Sequence, residues 1–138
     1  MIELFTSRWA NKELAELRCQ PVGISRGNPR FKTGFRYKQV RDLAPDDEAW
    51  AVADDEGAFR TSYIRQLEEL GLDAILGRLA RISPENGGVP LVLLCYEPAG
   101  EFCHRHVLSA WLRERGIEIR ELQPGDLLRR PKTTQPLF

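Results

Sequence analysis

The sequence predicts an α/β domain with a mainly parallel sheet of about four strands and flanking helices. Three observations lead there. Apolar runs of strand length alternate with stretches of helical period. One run, Val89 to Cys95, is apolar throughout, as in a strand covered on both faces. The 138 residues, 42% hydrophobic, suit one domain able to bury a real core.

The elements follow in chain order. Ile2 to Thr6 alternates and reads as a strand. Asn11 is a fitting cap for a short helix through Leu14, Leu17 and Arg18. Pro21 to Ser25 reads as a second strand. Residues 26–41 show no period and read as a loop of functional length. Pro45, followed by Asp46, Asp47 and Glu48, opens a helix with acids at its positive end. Tyr63, Leu67 and Leu70 continue from Phe59 at helical spacing until Gly71 breaks the run. Ile75, Leu76, Leu79 and Ile82 share the face of the next helix, and Asn86-Gly87-Gly88 makes a turn. After the Val89–Cys95 strand, a helix from about Cys103 to Arg115 buries Val107, Leu108 and Trp111 and ends at Gly116. Trp111 is expected against Val92 or Leu94. Ile117 to Leu122 is the last strand, so residues 1–122 form the domain. Residues 123–138, with three prolines, form a tail.

Composition excludes several classes. The apolar fraction is too high for a disordered chain. Three cysteines make an odd count without small-scaffold spacing, which argues against a disulfide framework. No apolar run approaches the ~20 residues of a membrane helix. Met1 leads into Ile2-Glu3-Leu4-Phe5 without a basic leader. The expectation is a soluble protein of the reducing cytoplasm with no membrane partner.

The 20 basic and 20 acidic residues cancel, but they are segregated. Residues 1–41 hold nine Lys or Arg against three acids, and residues 42–56 hold seven acids and no base. Either the two segments pair with each other, or the basic one is an anion-binding surface. Arg26, Arg30, Lys32, Arg36, Lys38 and Arg41 alternate with Phe31, Phe35 and Tyr37. Cations for phosphates and ring faces for bases suit a nucleotide or single-stranded nucleic acid.

In an open parallel sheet, ligands bind beyond the carboxyl ends of the strands. The residues just past the proposed strands are Ser7, Arg8 and Trp9, then Ser25, Arg26 and Gly27, then Cys95, Tyr96 and Glu97. The following helix opens with Cys103, His104 and Arg105. Basic, acidic and nucleophilic groups therefore converge on one edge.

Cys95-Tyr96-Glu97, five intervening residues, and Cys103-His104-Arg105 form a C-x-E…C-H-R pattern that resembles the bacterial family called domain of unknown function 488. Ser25-Arg26-Gly27-Asn28-Pro29-Arg30-Phe31 resembles that family's second-strand region. The order of elements is similar over nearly the whole chain. The resemblance implies a small Rossmann-like α/β domain, with family motifs matched at Arg26, Cys95, Glu97, Cys103, His104 and Arg105. It supplies candidate residues and no reaction. Many members carry Gly-His-Ser after the first strand and an Asp two positions before the Arg. This chain has Phe5-Thr6-Ser7-Arg8 and Ile24 there.

Roles follow from chemistry. Cys103, at a helix N-terminus beside His104 and Arg105, is placed to be a thiolate nucleophile; a buried structural cysteine is the plain alternative. Glu97 is a candidate general acid or base, or else an orienting partner for His104 or Arg105. The catalytic candidates are thus Cys103, Glu97 and His104, and the ligand-binding candidates are Ser7, Arg26, Arg30 and Arg105. Arg26 and Arg105 are expected to approach one another across the strand ends, bridged by Glu97 or by a bound anion. Zinc is weighed on Cys95, Cys103, His104 and His106. Adjacent helical residues point about 100° apart and no C-x-x-C occurs, so neither metal nor cofactor is expected.

Two functional readings result. The first is a thiol- or carboxylate-dependent hydrolase or transferase acting on a phosphate-bearing ligand, a nucleotide or nucleic acid. The second is a non-catalytic module binding the same anion. A structural C-H-R corner is a third possibility. Oligomeric state is not legible.

Overall fold

The computed structural model describes residues 2–82, 88–97 and 102–131. Five strands form one sheet: β1 (Leu4–Arg8), β2 (Gln20–Gly23), β3 (Lys38–Gln39), β4 (Leu91–Cys95) and β5 (Ile119–Glu121). Four α-helices accompany them: α1 (Asp47–Ala51), α2 (Glu56–Leu70), α3 (Leu72–Ala80) and α4 (His104–Glu114). The strand order is β3-β2-β4-β1-β5, and every pairing is parallel. The expected α/β class holds, with five strands in place of about four. The additional strand is the two-residue β3, within a segment whose sequence carries no strand period.

β4 lies between β1 and β2 and is buried along its whole length. That placement explains its unbroken apolar run, because both faces are covered. On one face, Leu91 and Leu93 join Val22, Ile24, Leu67, Leu79 and Leu108 under the helices. On the other, Val92 and Leu94 join Phe5, Trp9, Leu14 and Leu17. Trp111, 4% exposed, is buried as expected, but it belongs to the Leu91 and Leu93 face rather than to that of Val92 and Leu94. Side chains alternate across a strand, so a helix on one face meets odd or even positions and never both.

The helices begin as their sequences direct. Asp46 caps α1 by accepting from the Ala49 N–H at 2.9 Å, and Asp55 caps α2 through Ala58 at 3.0 Å. Gly71, at φ +87°, separates α2 from α3 in a conformation that favours glycine. β1 runs two residues later than the expected Ile2–Thr6, so Ser7 and Arg8 lie inside the strand. Gly23 is fixed by contact: a Cβ there would come within 2.5 Å of the Trp9 ring. Beyond β5 the chain turns back, and Arg129 forms an antiparallel bridge with Leu17. The expected Asn86-Gly87 portion of the turn and the tail end from residue 132 lie outside the described residues.

Candidate functional site

The central position of β4 puts its carboxyl end between those of β1 and β2, and α4 starts beside it. A cavity of about 290 Å³ opens there. Arg26, Trp50, Tyr96, Glu97, Cys103 and His104 are among its lining residues, with Cys95 at its base. The edge predicted from strand order therefore holds a cavity, and it gathers Arg26, Cys95, Glu97, Cys103 and His104.

Cys103 is the N-cap of α4, with extended backbone angles (φ −151°, ψ 146°) and no side-chain capping bond. It is not yet in the helix, so the 100° step between neighbours does not apply between it and His104. That geometry corrects the reasoning by which the two side chains were expected to diverge. The ligand atoms of Cys95, Cys103 and His104 all lie within 4.8 Å of one another, and all three residues are buried. The Cys95 and Cys103 sulfurs are in direct contact as a disulfide pair, with Cα atoms 7.3 Å apart. The odd cysteine count had argued against any disulfide framework. The third cysteine, Cys19, is buried elsewhere, and burial pushes its thiol up to about 11.

His104 spans two elements. Its Nε2 is 2.5 Å from the Ile24 carbonyl oxygen at the end of β2, and its Nδ1 faces Cys103 Sγ at 3.9 Å. A carbonyl only accepts, so Nε2 carries the proton and Nδ1 presents a lone pair to the sulfurs. Burial, reinforced by the charge of Arg105, lowers the His104 pKa to about 4. The ring is neutral through the physiological range.

Arg105 is fully buried. Its Nε and Nη2 donate to the two Glu121 carboxylate oxygens at 3.1 and 3.0 Å, a bidentate fork. Its Nη1 donates to Cys95 Sγ at 3.0 Å and to the Glu97 carbonyl oxygen at 2.6 Å. The expected bridge through the Glu97 carboxylate is therefore corrected. The carboxylate on Arg105 is that of Glu121, which β5 holds beside α4, and Glu97 meets Arg105 only through its backbone. Sequence reasoning missed Glu121 because the strand it ends was read for its apolar residues alone. Thr6 Oγ1 also donates to Glu121, at 2.6 Å.

Arg26 lies on the other side of the cavity. It donates to the Pro45 carbonyl at 2.9 Å and to Asp47 at 3.0 Å, and its guanidinium stacks 5.3 Å from the centre of the Trp50 ring. The Asp47 side chain is 98% exposed, and such a pair contributes little and exchanges readily. Arg26 and Arg105 share the edge but are not bridged, contrary to expectation, because each has its own carboxylate.

Trp50, 57% exposed, was also missed. It is the one aromatic residue of the acidic 42–56 stretch, flanked by Ala49, Ala51 and Val52, where no helical apolar period marks it. Ser7 is buried in β1 and accepts from Asn11 Nδ2 at 3.1 Å, away from the cavity lining. Arg30 is exposed on the 26–41 segment. Of the basic residues in that segment, Arg26 alone pairs with the acidic stretch among the described residues. Asp42, Asp46 and Glu48 pair instead with Arg78 or Arg65. Mutual shielding of the two segments is thus confined to one ion pair.

A family model described as the active DUF488-N3 subclade matches residues 7–116. The chain belongs to the DUF488 family. No curated protein and no solved structure matches it. The C-x-E…C-H-R motif of this DUF488 chain maps onto one edge. Cys95 and Glu97 leave β4, Cys103 caps α4, and His104 and Arg105 tie that helix start to β2 and β5. The four residues from Pro98 to Glu101, within the motif's spacer, lie outside the described residues. Among the described residues, no helix is long and apolar enough to cross a membrane.

Proposed function

We propose that this DUF488 protein is an enzyme that binds a phosphate-bearing ligand, a nucleotide or one nucleotide of a strand, and hydrolyses it or transfers part of it. One observation carries the reading. A single cavity is lined by an exchangeable guanidinium, exposed aromatic rings, an exposed carboxylate and two buried sulfurs.

Arg26 would exchange Asp47 for a phosphate, and Trp50 and Tyr96 offer ring faces to a base. The cavity volume is near the lower end of small-molecule sites, about 300 Å³, which suits one nucleotide unit. Glu97 is exposed at the rim and would exchange a proton with water or a leaving group. Cys103 would enter as a thiolate only after a low-molecular-weight thiol has reduced its pair with Cys95, and the α4 N-terminus would then favour the anion.

A second reading, a non-catalytic nucleic-acid-binding module, is favoured by the exposed Arg30, Lys32, Arg36 and Lys38, which form no ion pair among the described residues. Titration of tryptophan fluorescence with adenosine monophosphate and with a short single-stranded oligonucleotide separates a mononucleotide site from a strand-binding surface, and release of phosphate or base from the bound nucleotide separates an enzyme from a module. The enzyme reading expects quenching by the mononucleotide, weakened about tenfold or more in Arg26→Ala, since a charge-assisted contact is worth about 1.5–3 kcal/mol. Quenching by the oligonucleotide alone, with a steep salt dependence, supports the module. Mononucleotide affinity unchanged in Arg26→Ala would overturn the assignment of Arg26.

A further inference from the structure

We infer that Cys95, Cys103 and His104 form a binding site for one thiophilic divalent cation of the zinc type once a low-molecular-weight thiol has reduced the Cys95–Cys103 pair, becoming oxidised to its own disulfide as both cysteines are freed. For its catalytic meaning the inference rests on reading this edge as a reaction centre. Its geometry stands without a nucleotide.

Four observations support it. First, three soft or borderline ligand atoms lie within 4.8 Å of one another in a buried cluster. Two sulfurs and one imidazole nitrogen are a set that zinc takes in catalytic sites, where a fourth position stays open. Here all three residues line the cavity, from which a fourth ligand would enter.

Second, the imidazole is prepared as a ligand. Metal-binding histidines donate their other N–H to a carbonyl or carboxylate, which fixes tautomer and ring orientation. His104 meets Ile24 O in that way, and its free lone pair faces Cys103.

Third, both sulfurs lie beside positive groups. Arg105 Nη1 donates to Cys95 Sγ at 3.0 Å, and Cys103 sits at a helix N-terminus. Arg105 is already neutralised by Glu121. Two thiolates beside that pair leave a charge of minus two, which a divalent cation cancels.

Fourth, a covalent crosslink fits the backbone less well. Disulfides span about 4.4–6.8 Å between Cα atoms, and beyond about 7 Å the backbone must close in. Cys95 and Cys103 stand 7.3 Å apart. In the reduced pair that spacing leaves both sulfurs near His104, able to share one cation. A cation there makes Cys103 a ligand rather than an attacking nucleophile, and it polarises an oxygen presented from the cavity.

The test uses Co²⁺ as a spectroscopic substitute, added anaerobically to the reduced protein. Expected are one equivalent bound, a thiolate-to-cobalt charge-transfer band and the strong visible bands of tetrahedral cobalt. Cys95→Ser, Cys103→Ser and His104→Gln should each lower affinity at least about 100-fold, beyond the 10–100-fold cost of losing an outer-shell partner. Cys19→Ala should leave it unchanged, because Cys19 packs in the cluster on the opposite sheet face. A second measurement needs no variant: Zn²⁺ should protect two of the three cysteines from alkylation, and a chelator should reverse this. Reduced protein that takes up no cobalt and reoxidises to a Cys95–Cys103 disulfide overturns the metal site in favour of a redox pair. Protein that binds adenosine monophosphate but no cobalt overturns this inference alone. Protein that binds cobalt but no nucleotide supports the metal site and overturns the ligand reading.

Discussion

Arg105 and Glu121 form a bidentate ion pair between the first turn of α4 and the end of β5, with the guanidinium fully buried and the carboxylate 21% exposed. The pair fixes the helix whose start carries Cys103 and His104. It also sets the direction of Nη1 toward Cys95. The asymmetry in exposure has a consequence. Removing the carboxylate leaves a buried charge, whereas removing the guanidinium leaves an acid that reaches water.

Glu121→Ala should therefore lower stability by about 3–5 kcal/mol, and Arg105→Met by clearly less. Urea denaturation of both variants checks this. Equal losses would mean that Arg105 finds compensation elsewhere.

Gly23→Ala should cost about 1–3 kcal/mol, because its methyl would overlap the Trp9 ring at 2.5 Å. Trp9 cannot retreat freely, since its Nε1 donates to Ser25 Oγ at 3.0 Å and its ring packs edge-on against Tyr37. The urea midpoint measures the loss, and shifted near-ultraviolet circular dichroism should accompany it.

Trp111→Ala should cost about 3–5 kcal/mol. The side chain is 4% exposed on the Leu91 and Leu93 face, and Arg115 stacks on its ring at 3.8 Å. A loss below about 1 kcal/mol would place that helix face in solvent and contradict the packing.

His104 predicts a pH dependence in the metal-free protein. Its folded pKa of about 4 lies below the ordinary 6.5, first through burial. Above pH 6.5 both states are neutral and the stability is complete. As pH falls from 6.5 toward 4, the unfolded chain gains a proton that the folded chain refuses. Stability then falls by about 3 kcal/mol. Urea midpoints between pH 7 and 4.5 should show a steeper fall for the unaltered chain than for His104→Gln. Identical slopes would show that the ring protonates freely in the fold.

Much of this was legible in the sequence. The apolar run ending at Cys95, the cap at Asn11 and the break at Gly71 each encode their own local structure. The edge was legible because parallel sheets present their loops at one end. What escaped depends on order in space. Nothing in the chain says that β5 lies outside β1, so the carboxylate for Arg105 was sought at Glu97, eight residues away, rather than at Glu121. β3 is two residues long, too short for a period to show. The meeting of Cys103 with His104 turns on one backbone step, the extended cap before the helix, which spacing alone treats as helical. Trp50 became a site residue only when α1 was laid beside the end of β2.

The cavity at the carboxyl edge is where a ligand is expected to bind. Backbone amide shifts in a ¹⁵N-labelled sample titrated with adenosine monophosphate test this most directly. The largest changes are expected on Arg26, Gly27, Tyr96, Glu97, Cys103 and His104, together with the Trp50 indole. Changes confined to Arg30 through Lys38, or scattered over the sheet's opposite end, would contradict it.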